Sequence, residues 1–300
     1  MVDGANKMKQ LKIKLKSLFL YIVLLIFLLA FSIGFEGYRG KQSVVIGAKN
    51  CTEQHILAEM LASLVQQHTD LKVKRCFNLE GTTICFNALK SGTIDAYFEY
   101  TGTALLDILK EPLIEGPLFE HVKAALEQKY DLLLLDPLGF SNQYVLIARS
   151  DSNLKKISDI PPNARIAFDP EFAARPEVDL LKQKYPWKWK TKLMDQVLLY
   201  FSLQNKVIDV MSGFSTDGRL KDPRFVILED DRKVLPPYMA APLIRKKTLE
   251  KFPEMEKIFS LLNNCLTDEQ MIQLNYKVES LGCDVTDVVQ EFLQNAKLLK

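Results

Sequence analysis

Aromatic side chains stand beside small polar or charged residues where several predicted strands end. In the stretch IDAYFEYTGTALL, residues 94–106, a predicted strand closes with three aromatics and a glutamate before a glycine turn. Aromatic faces with few charges suit a cation that cannot donate hydrogen bonds, because the ring quadrupole attracts it. A quaternary ammonium group is the obvious cation of this kind. Similar segments are KNCTEQ (49–54), GFSNQY (139–144), PEFAARPE (170–177), SGFSTDGR (212–219) and PPYMAAP (236–242).

The strength of such a site follows from the number of rings that reach it. Each desolvated aromatic face is worth up to ~2 kcal/mol. Three or four faces would give roughly 6–8 kcal/mol, which is enough for micromolar binding if the cage is preformed. In open α/β sheets, ligands bind at the carboxyl ends of strands, where loops and helix N-termini converge. The positions of these residues therefore fit a ligand site at sheet edges.

Strands and helices alternate along the chain, which favours an α/β fold with mainly parallel sheets flanked by helices. The pattern falls into two blocks, each too small for a full doubly wound sheet, and this predicts two lobes. Gln143–Ser150 and Met239–Lys246 read as the strands that cross between them. The expected division is residues 1–40 as an N-terminal targeting segment, 41–145 plus 240–300 as the first lobe, and 146–239 as the second.

The N-terminus carries a basic stretch followed by an apolar run without charges, residues 18–35. This order is typical of a secretory signal peptide or a membrane anchor. Lysines before the run keep the N-terminus inside and export the remainder. We expect residues 40–300 to be periplasmic or otherwise extracytoplasmic, with residues 18–35 either cleaved or retained as an anchor in the inner membrane.

Composition and motifs argue against several other classes of protein. The 300 residues carry a net charge of +2, from 39 basic and 37 acidic side chains, which gives no basic face for nucleic acid. No nucleotide-binding, metalloprotease or serine-hydrolase motif is present, and three histidines offer little for catalysis. The five cysteines lack metal-ligand spacing, so no metal or other cofactor is expected. Cys76 with Cys85, or Cys265 with Cys283, remain open as disulfides.

Seven motifs in a fixed order closely resemble the substrate-binding proteins of glycine betaine/choline/carnitine (osmoprotectant) ABC importers. The resemblance covers about Ser43 to Leu293 and depends on the order and spacing of the motifs together. It implies a type II periplasmic-binding-protein clamshell that closes over a compatible solute and delivers it to a permease and its ATPase. The motifs are VVIGAKNCTEQHILAEMLA, EYTGTALL, GFSNQYVLIAR, FDPEFAARPE, GFSTDGR, LEDDRKVLPPYMAAPLIRK and LTDEQMIQLNYKVE.

The same resemblance implies which residues hold the solute. In relatives a cage of mostly tyrosines surrounds the trimethylammonium head, and an asparagine in the third motif contacts the ligand. Thr52 and Thr101 begin predicted helices beside the cleft, where they would act as helix caps and aim backbone N–H groups at it. The expected substrate-binding residues are Tyr100, Asn142, Tyr144, Phe172, Arg175, Phe214, Tyr238, Thr52 and Thr101.

Three departures from the family pattern bear on the choice of ligand. Cys51 stands where relatives usually have an aromatic, and Phe214 stands where many have tyrosine. Phe172 and Arg175 replace a tyrosine–tryptophan element of choline-binding members. This E-F-x-x-R form resembles the branch that takes ligands with a carboxylate, including betaine-headed amino acids such as ergothioneine. Arg175 would bind that carboxylate with two parallel hydrogen bonds.

Several side chains keep two interpretations at this level. Glu99 either approaches the ammonium or pairs with Arg175, whereas Tyr97 packs in the core. Asp217 and Arg219 form either an interlobe pair or a turn cap with a surface charge. Cys51 is either a buried filler or a ligand contact. Two alternative functions also remain: a membrane-tethered solute sensor, and an enzyme on the same two-lobed fold.

Overall fold

The predicted alternation of strands and helices is present as two separate five-stranded sheets among the described residues. The computed structural model describes residues 42–299 except 115 and 187. The apolar run at residues 18–35 lies outside the described residues. Within the described part, no helix has the length and apolar character that a bilayer crossing requires. Both sheets belong to one unit, which spans Val44–Thr69 and the chain from Val73 onward.

The first sheet has the strand order β2-β1-β3-β10-β4, and the second has the order β7-β6-β8-β5-β9. These strands are β1 (Ser43–Lys49), β2 (Lys72–Leu79), β3 (Ala96–Tyr100), β4 (Leu132–Leu134), β5 (Tyr144–Arg149), β6 (Arg165–Phe168), β7 (Lys190–Leu193), β8 (Val210–Phe214), β9 (Phe225–Ile227) and β10 (Ala240–Arg245).

The helices follow the strands in the alternation that the sequence predicts. They are α1 (Thr52–His68), α2 (Gly81–Ser91), α3 (Leu118–Tyr130), α4 (Pro170–Ala173), α5 (Pro176–Lys184), α6 (Gln196–Gln204), α7 (Lys246–Lys251), α8 (Glu254–Ser260), α9 (Asp268–Glu279) and α10 (Val285–Asn295). A helical turn at Thr101–Thr103 continues as a π-helix over Ala104–Leu109, and a 3₁₀ turn covers Gly218–Lys221.

One strand of each sheet runs antiparallel to both of its neighbours. β10 pairs in this way with β3 and β4, and β5 with β8 and β9. Each of these strands enters its sheet directly from the other sheet, without the helical crossover that a parallel connection needs. The chain therefore crosses between the sheets just before β5 and β10, in segments 135–143 and 228–239.

The two crossing segments are hydrogen-bonded to each other. Ser141 forms an isolated bridge with Met239, and the backbone N–H of Asn142 donates to the carbonyl oxygen of Tyr238 at 3.0 Å. Pro236 and Pro237 lack the N–H that a ladder needs, which explains why β10 begins at Ala240 rather than at Pro236. Asn142 and Tyr238 thus come to lie side by side where the chain crosses.

Two local predictions differ from the structure. The sequence misses β7, an edge strand whose four residues are all exposed and therefore carry no apolar alternation. The prediction that Thr52 caps α1 is wrong, because Cys51 occupies the N-cap position with an extended backbone and makes no side-chain cap bond.

Candidate functional site

A cavity of about 470 Å³ lies where the ends of the two sheets face each other. Tyr100 is the last residue of β3, Tyr144 is the first of β5, and Phe214 is the last of β8. Because Tyr144 pairs with Phe214 across the antiparallel ladder, both reach the same edge of the second sheet. The predicted site residues that line this cavity are Thr52, Tyr100, Asn142, Tyr144, Arg175, Phe214 and Tyr238.

The second sheet supplies a stack of aromatic rings. The ring of Tyr144 lies 4.6 Å from that of Phe214 and 4.7 Å from that of Phe172, measured between centroids. Phe172 is fully buried and meets Phe168 edge-to-face at 4.9 Å, one layer behind the cavity wall. Phe172 therefore supports the ring of Tyr144 and does not itself reach the cavity.

The ring of Tyr238 can lie in the cavity wall because the residue packed against it, Gly102, has no side chain. A Cβ atom at Gly102 would lie 1.8 Å from Cε1 of Tyr238, so only glycine allows the ring this position. Thr101, beside it, is fully buried and outside the wall. Its hydroxyl donates to the Pro237 carbonyl oxygen at 3.3 Å and accepts from the N–H of Met239 at 3.1 Å. Thr101 thus holds crossing segment 228–239 in place by two hydrogen bonds. It is not the helix cap that the sequence predicts.

Arg175 projects its guanidinium group between two tyrosine rings. The guanidinium carbon is 5.2 Å from the ring centroid of Tyr144 and 5.5 Å from that of Tyr238. Nε donates to Glu177, which is only 1% exposed, at 3.1 Å, and Nη2 donates to the hydroxyl of Tyr238 at 2.7 Å. Two of its five N–H donors are therefore engaged within the protein, and three remain on Nη1 and Nη2.

The remaining nitrogen of Arg175 has weaker contacts. Nη1 is 3.6 Å from a carboxylate oxygen of Glu171 and 3.8 Å from one of Asp107, both beyond hydrogen-bond length. Glu171 is exposed to solvent. Nη1 is thus the edge of the guanidinium group that a bound carboxylate can approach.

Glu99 neither approaches the cavity nor pairs with Arg175. It is fully buried, and its carboxylate pairs with Nζ of Lys49 at 2.5 Å and accepts from the hydroxyl of Tyr97 at 3.0 Å. The cause is the position of β3 between β1 and β10, which buries every side chain of the strand. Nζ of Lys49 also lies 5.4 Å from the ring centroid of Tyr100.

Asp217 and Arg219 form a local turn rather than a pair between lobes. The Asp217 carboxylate accepts from the backbone N–H of Arg219 at 2.9 Å and from its Nη2 at 2.6 Å. The Arg219 guanidinium stacks on the ring of Tyr200 with 4.0 Å to the centroid. Asp217 is therefore the turn cap that the sequence allows, whereas Arg219 lines the cavity and is not a plain surface charge.

The wall of the cavity is rich in carboxyl groups, which favours a cationic ligand. Six acidic residues face three basic ones. The acidic residues are Glu53, Glu80, Asp107, Glu171, Asp217 and Glu279, and the basic ones are Lys49, Arg175 and Arg219.

Sequence reasoning missed a residue at the centre of this site, Glu53. It is 6% exposed and accepts hydrogen bonds from four side chains that come from both sheets and from α9. Burial raises the pKa of Glu53, while the hydrogen bonds from Thr216, Tyr100, Asn275 and Asn142 act in the opposite direction. In sequence, a glutamate in the first turn of a helix reads as a surface charge that favours the helix dipole, so nothing local marks its role.

Buried polar atoms without a hydrogen-bond partner concentrate around the cavity. They include both amide atoms of Gln54, Oδ1 of Asn142, Oδ1 of Asn275 and the hydroxyl of Tyr144, each on a cavity-lining residue. Buried polar groups are nearly always satisfied in folded proteins, so a cluster of such atoms points to a ligand or ordered water.

The cysteines carry free thiols in the structure, and neither open disulfide pairing is present. Cys51 lines the cavity, and burial raises the pKa of its thiol. No group of three or more potential metal ligands occurs within residues 42–299 as far as they are described.

Comparison with known proteins places this geometry in a family. The OpuAC family model, described as the substrate binding domain of an ABC-type glycine betaine transport system, matches residues 42–295. The chain belongs to this family. Family members are solute-binding proteins of transporters rather than enzymes, and they work outside the cytoplasm.

Two relatives of this chain are named for different solutes. The Helicobacter pylori (strain G27) protein named ergothioneine transport permease/ergothioneine binding protein EgtU is 33% identical over 86% of this chain. The chain spans only 48% of that protein. The carnitine transport binding protein OpuCC of Listeria monocytogenes serotype 1/2a is 33% identical, covering 94% of this chain and 97% of the relative.

The solved structure supports the same fold. A crystal structure titled glycine betaine/carnitine/choline ABC transporter superposes with a TM-score of 0.79 at 27% identity. The match covers 86% of this chain and all of that one. The type II binding-protein fold expected from the sequence is confirmed.

Proposed function

We propose that this protein is the extracytoplasmic solute-binding component of an ABC importer and that its cargo is a quaternary-ammonium compatible solute with a carboxylate. The observation that carries the proposal is one cavity in which four aromatic side chains and an arginine meet. Tyr100, Tyr144, Phe214 and Tyr238 are the aromatic wall, and Arg175 is the arginine.

The ring faces already attract cations within the protein. The ammonium group of Lys49 lies over Tyr100, and the guanidinium group of Arg175 lies over Tyr144 and Tyr238. A trimethylammonium head has the same charge without N–H donors, so it gains the ring attraction without leaving hydrogen bonds unmade. The excess of carboxyl groups around the wall adds to that preference.

The carboxylate of the cargo is assigned to Arg175. Its Nη1 edge faces the cavity, while the buried Glu177 and Tyr238 hold the rest of the guanidinium group in place. A charge-assisted hydrogen bond to a carboxylate is worth about 1.5–3 kcal/mol. Glycine betaine, carnitine and ergothioneine-like amino acids carry such a group, whereas choline does not.

The proposal extends to location and mechanism. Residues 18–35 target the chain to the inner membrane, and the permease with its ATPase receives the cargo. We place the lobes at 41–143 plus 240–300 and at 144–239, two residues earlier than the sequence predicts, because β5 of the second sheet begins at Tyr144. They close around the solute by bending at the crossing segments. Closure requires that the ligand touch both lobes, as Tyr100 on one side and Tyr144, Phe214 and Arg175 on the other provide.

Isothermal calorimetry with choline, glycine betaine, carnitine, proline betaine and ergothioneine tests this function. We expect saturable binding of at least one carboxylate-bearing solute, with a loss of tenfold or more in Tyr144→Leu. Tyr130→Leu is the matched control, because Tyr130 packs edge-to-face against Phe86 and is not part of the cavity wall. Absence of binding to all five solutes, or their chemical conversion, would contradict the proposal.

A further inference from the structure

The carboxylate of Glu53 lies at the floor of the cavity and gathers donors from distant parts of the chain. Oε1 accepts from the hydroxyl of Tyr100 at 2.5 Å and from Nδ2 of Asn142 at 2.9 Å. Oε2 accepts from the hydroxyl of Thr216 at 2.6 Å and from Nδ2 of Asn275 at 3.0 Å. Two predicted ligand contacts, Tyr100 and Asn142, are therefore held by one buried group.

The hydrogen bonds around Glu53 can fully satisfy an ionised carboxylate. Two donors converge on each of its oxygens, which stabilises the charged form against the burial that raises its pKa. The amide of Asn275 cannot turn around to accept, because its Nδ2 also donates to the Thr216 carbonyl oxygen at 2.8 Å. In its ionised form Glu53 has every acceptor site used, and this is the form that we assign to it.

This anion has no cationic partner within the described part of the chain. None of the ion pairs formed by the three basic residues of the cavity includes Glu53. Lys49 pairs with Glu99, Arg219 pairs with Asp217, and Arg175 pairs with Glu177 and more weakly with Glu171 and Asp107. A buried charge that is hydrogen-bonded but not paired still exerts a strong field across a low-dielectric site. A cation bound in the cavity would supply the missing counter-charge for Glu53.

Tyr100 connects this charge to the aromatic wall. Its hydroxyl donates to Glu53, which moves electron density from the phenol O–H into the ring. A more electron-rich ring attracts a cation on its face more strongly. The carboxylate thus acts on the bound cation twice, directly through its field and indirectly through the ring of Tyr100.

We propose that Glu53 is a positioning and charge-supplying residue that stabilises the bound ammonium group without contacting it. The inference rests on the proposed function and adds the source of its preference for a positive charge. The alternative is that Glu53 only fastens the floor of the cavity. The two roles can be distinguished, because only a stabilising role depends on the positive charge of the ligand's ammonium group.

Ligands with a quaternary ammonium head and analogues whose head group is uncharged separate these roles. Glycine betaine is compared with 3,3-dimethylbutanoate, and choline with 3,3-dimethylbutan-1-ol, in which carbon replaces the quaternary nitrogen at nearly the same shape. The variant is Glu53→Gln, which keeps the size of the side chain and removes its charge. The matched control is Glu59→Gln, a buried glutamate of the same helix that pairs with Arg75 outside the cavity.

Affinities are measured by calorimetry for the charged members and by competition for the carbon analogues. We expect Glu53→Gln to lose tenfold or more for glycine betaine or choline and less than threefold for the carbon analogue of the same ligand. Glu59→Gln should leave the ratio of the two affinities unchanged. Tyr100→Phe, which keeps the ring and removes the link to Glu53, should show part of the loss for the charged ligand.

Two other results would contradict these proposals, and they can be told apart. Equal losses in Glu53→Gln for the ammonium ligand and for its carbon analogue would leave Glu53 a purely structural role and overturn this inference alone. A wild-type protein that binds none of the four probes would overturn the proposed function, and this inference with it.

Discussion

Arg175 donates a hydrogen bond from Nη2 to the hydroxyl of Tyr238 at 2.7 Å, and that hydroxyl in turn donates to the buried Glu177. The arginine is therefore fixed by neighbours on two sides, with one edge left toward the cavity. Fixed donors lose little freedom when a ligand binds, which favours affinity. This relation makes Arg175 the natural test of whether the cargo carries a carboxylate.

Arg175→Ala should weaken the binding of glycine betaine by tenfold or more and that of choline by less than threefold. The physical reason is that a charge-assisted hydrogen bond, worth about 1.5–3 kcal/mol, is lost only for the ligand with a carboxylate. Calorimetry with both solutes measures the two losses. Arg165→Ala is the control, since it removes an exposed arginine that pairs with Asp209. Equal losses for both solutes would remove Arg175 from ligand recognition.

Gly102→Ala should displace the ring of Tyr238 and reduce solute affinity by tenfold or more. The new Cβ would lie 1.8 Å from the ring, a distance that neither group can keep. Thermal unfolding should show a loss of stability in Gly102→Ala that is partly recovered in Gly102→Ala/Tyr238→Ala, because removing the ring relieves the clash. Full stability of the single variant would mean that the ring has room to move, against our description.

Lys49→Met should destabilise the protein far more than Lys246→Met does. The first change leaves Glu99 fully buried without a counter-charge, at a cost of about 3–5 kcal/mol. The second removes an exposed pair with Glu127, which solvent screens and which therefore contributes little to stability. Chemical denaturation of both variants measures the difference in the free energy of unfolding. Similar values for the two would show that Glu99 finds another partner or takes up a proton.

The thiols should react with Ellman's reagent at pH 8 in an order set by burial. Burial raises the pKa of Cys85 to about 12 and that of Cys265 to about 11, so both are almost wholly protonated at this pH. Because the thiolate is the nucleophile, we expect the exposed Cys283 to react first and Cys85 only after unfolding. Tryptic mapping of the modified residues gives the order. Rapid labelling of Cys85 in the folded protein would contradict its placement in the core.

Much of the aromatic wall is predictable because it depends on local pattern. Tyr100, Tyr144 and Phe214 stand at strand ends, and a strand end in an α/β sheet is itself readable from a few residues of sequence. The distance of a ring from the cavity cannot be predicted from such a pattern. Phe172 also follows a strand closely in sequence, but it lies behind Tyr144, because the packing of α4 against the second sheet turns its ring inward.

By itself the sequence determined the strand–helix alternation, the two-lobed α/β class and the family, since these follow from periodicity and from motifs of adjacent residues. Only the tertiary structure decided which charges meet. Glu53 and Thr216 are 163 residues apart in the chain, and Lys49 reaches Glu99 across 50. Lys49 and Glu99 meet because β1 and β3 are neighbours in one sheet. Glu53 and Thr216 meet because α1 faces the turn that follows β8 of the other sheet. Their energies depend on burial, which no local pattern encodes.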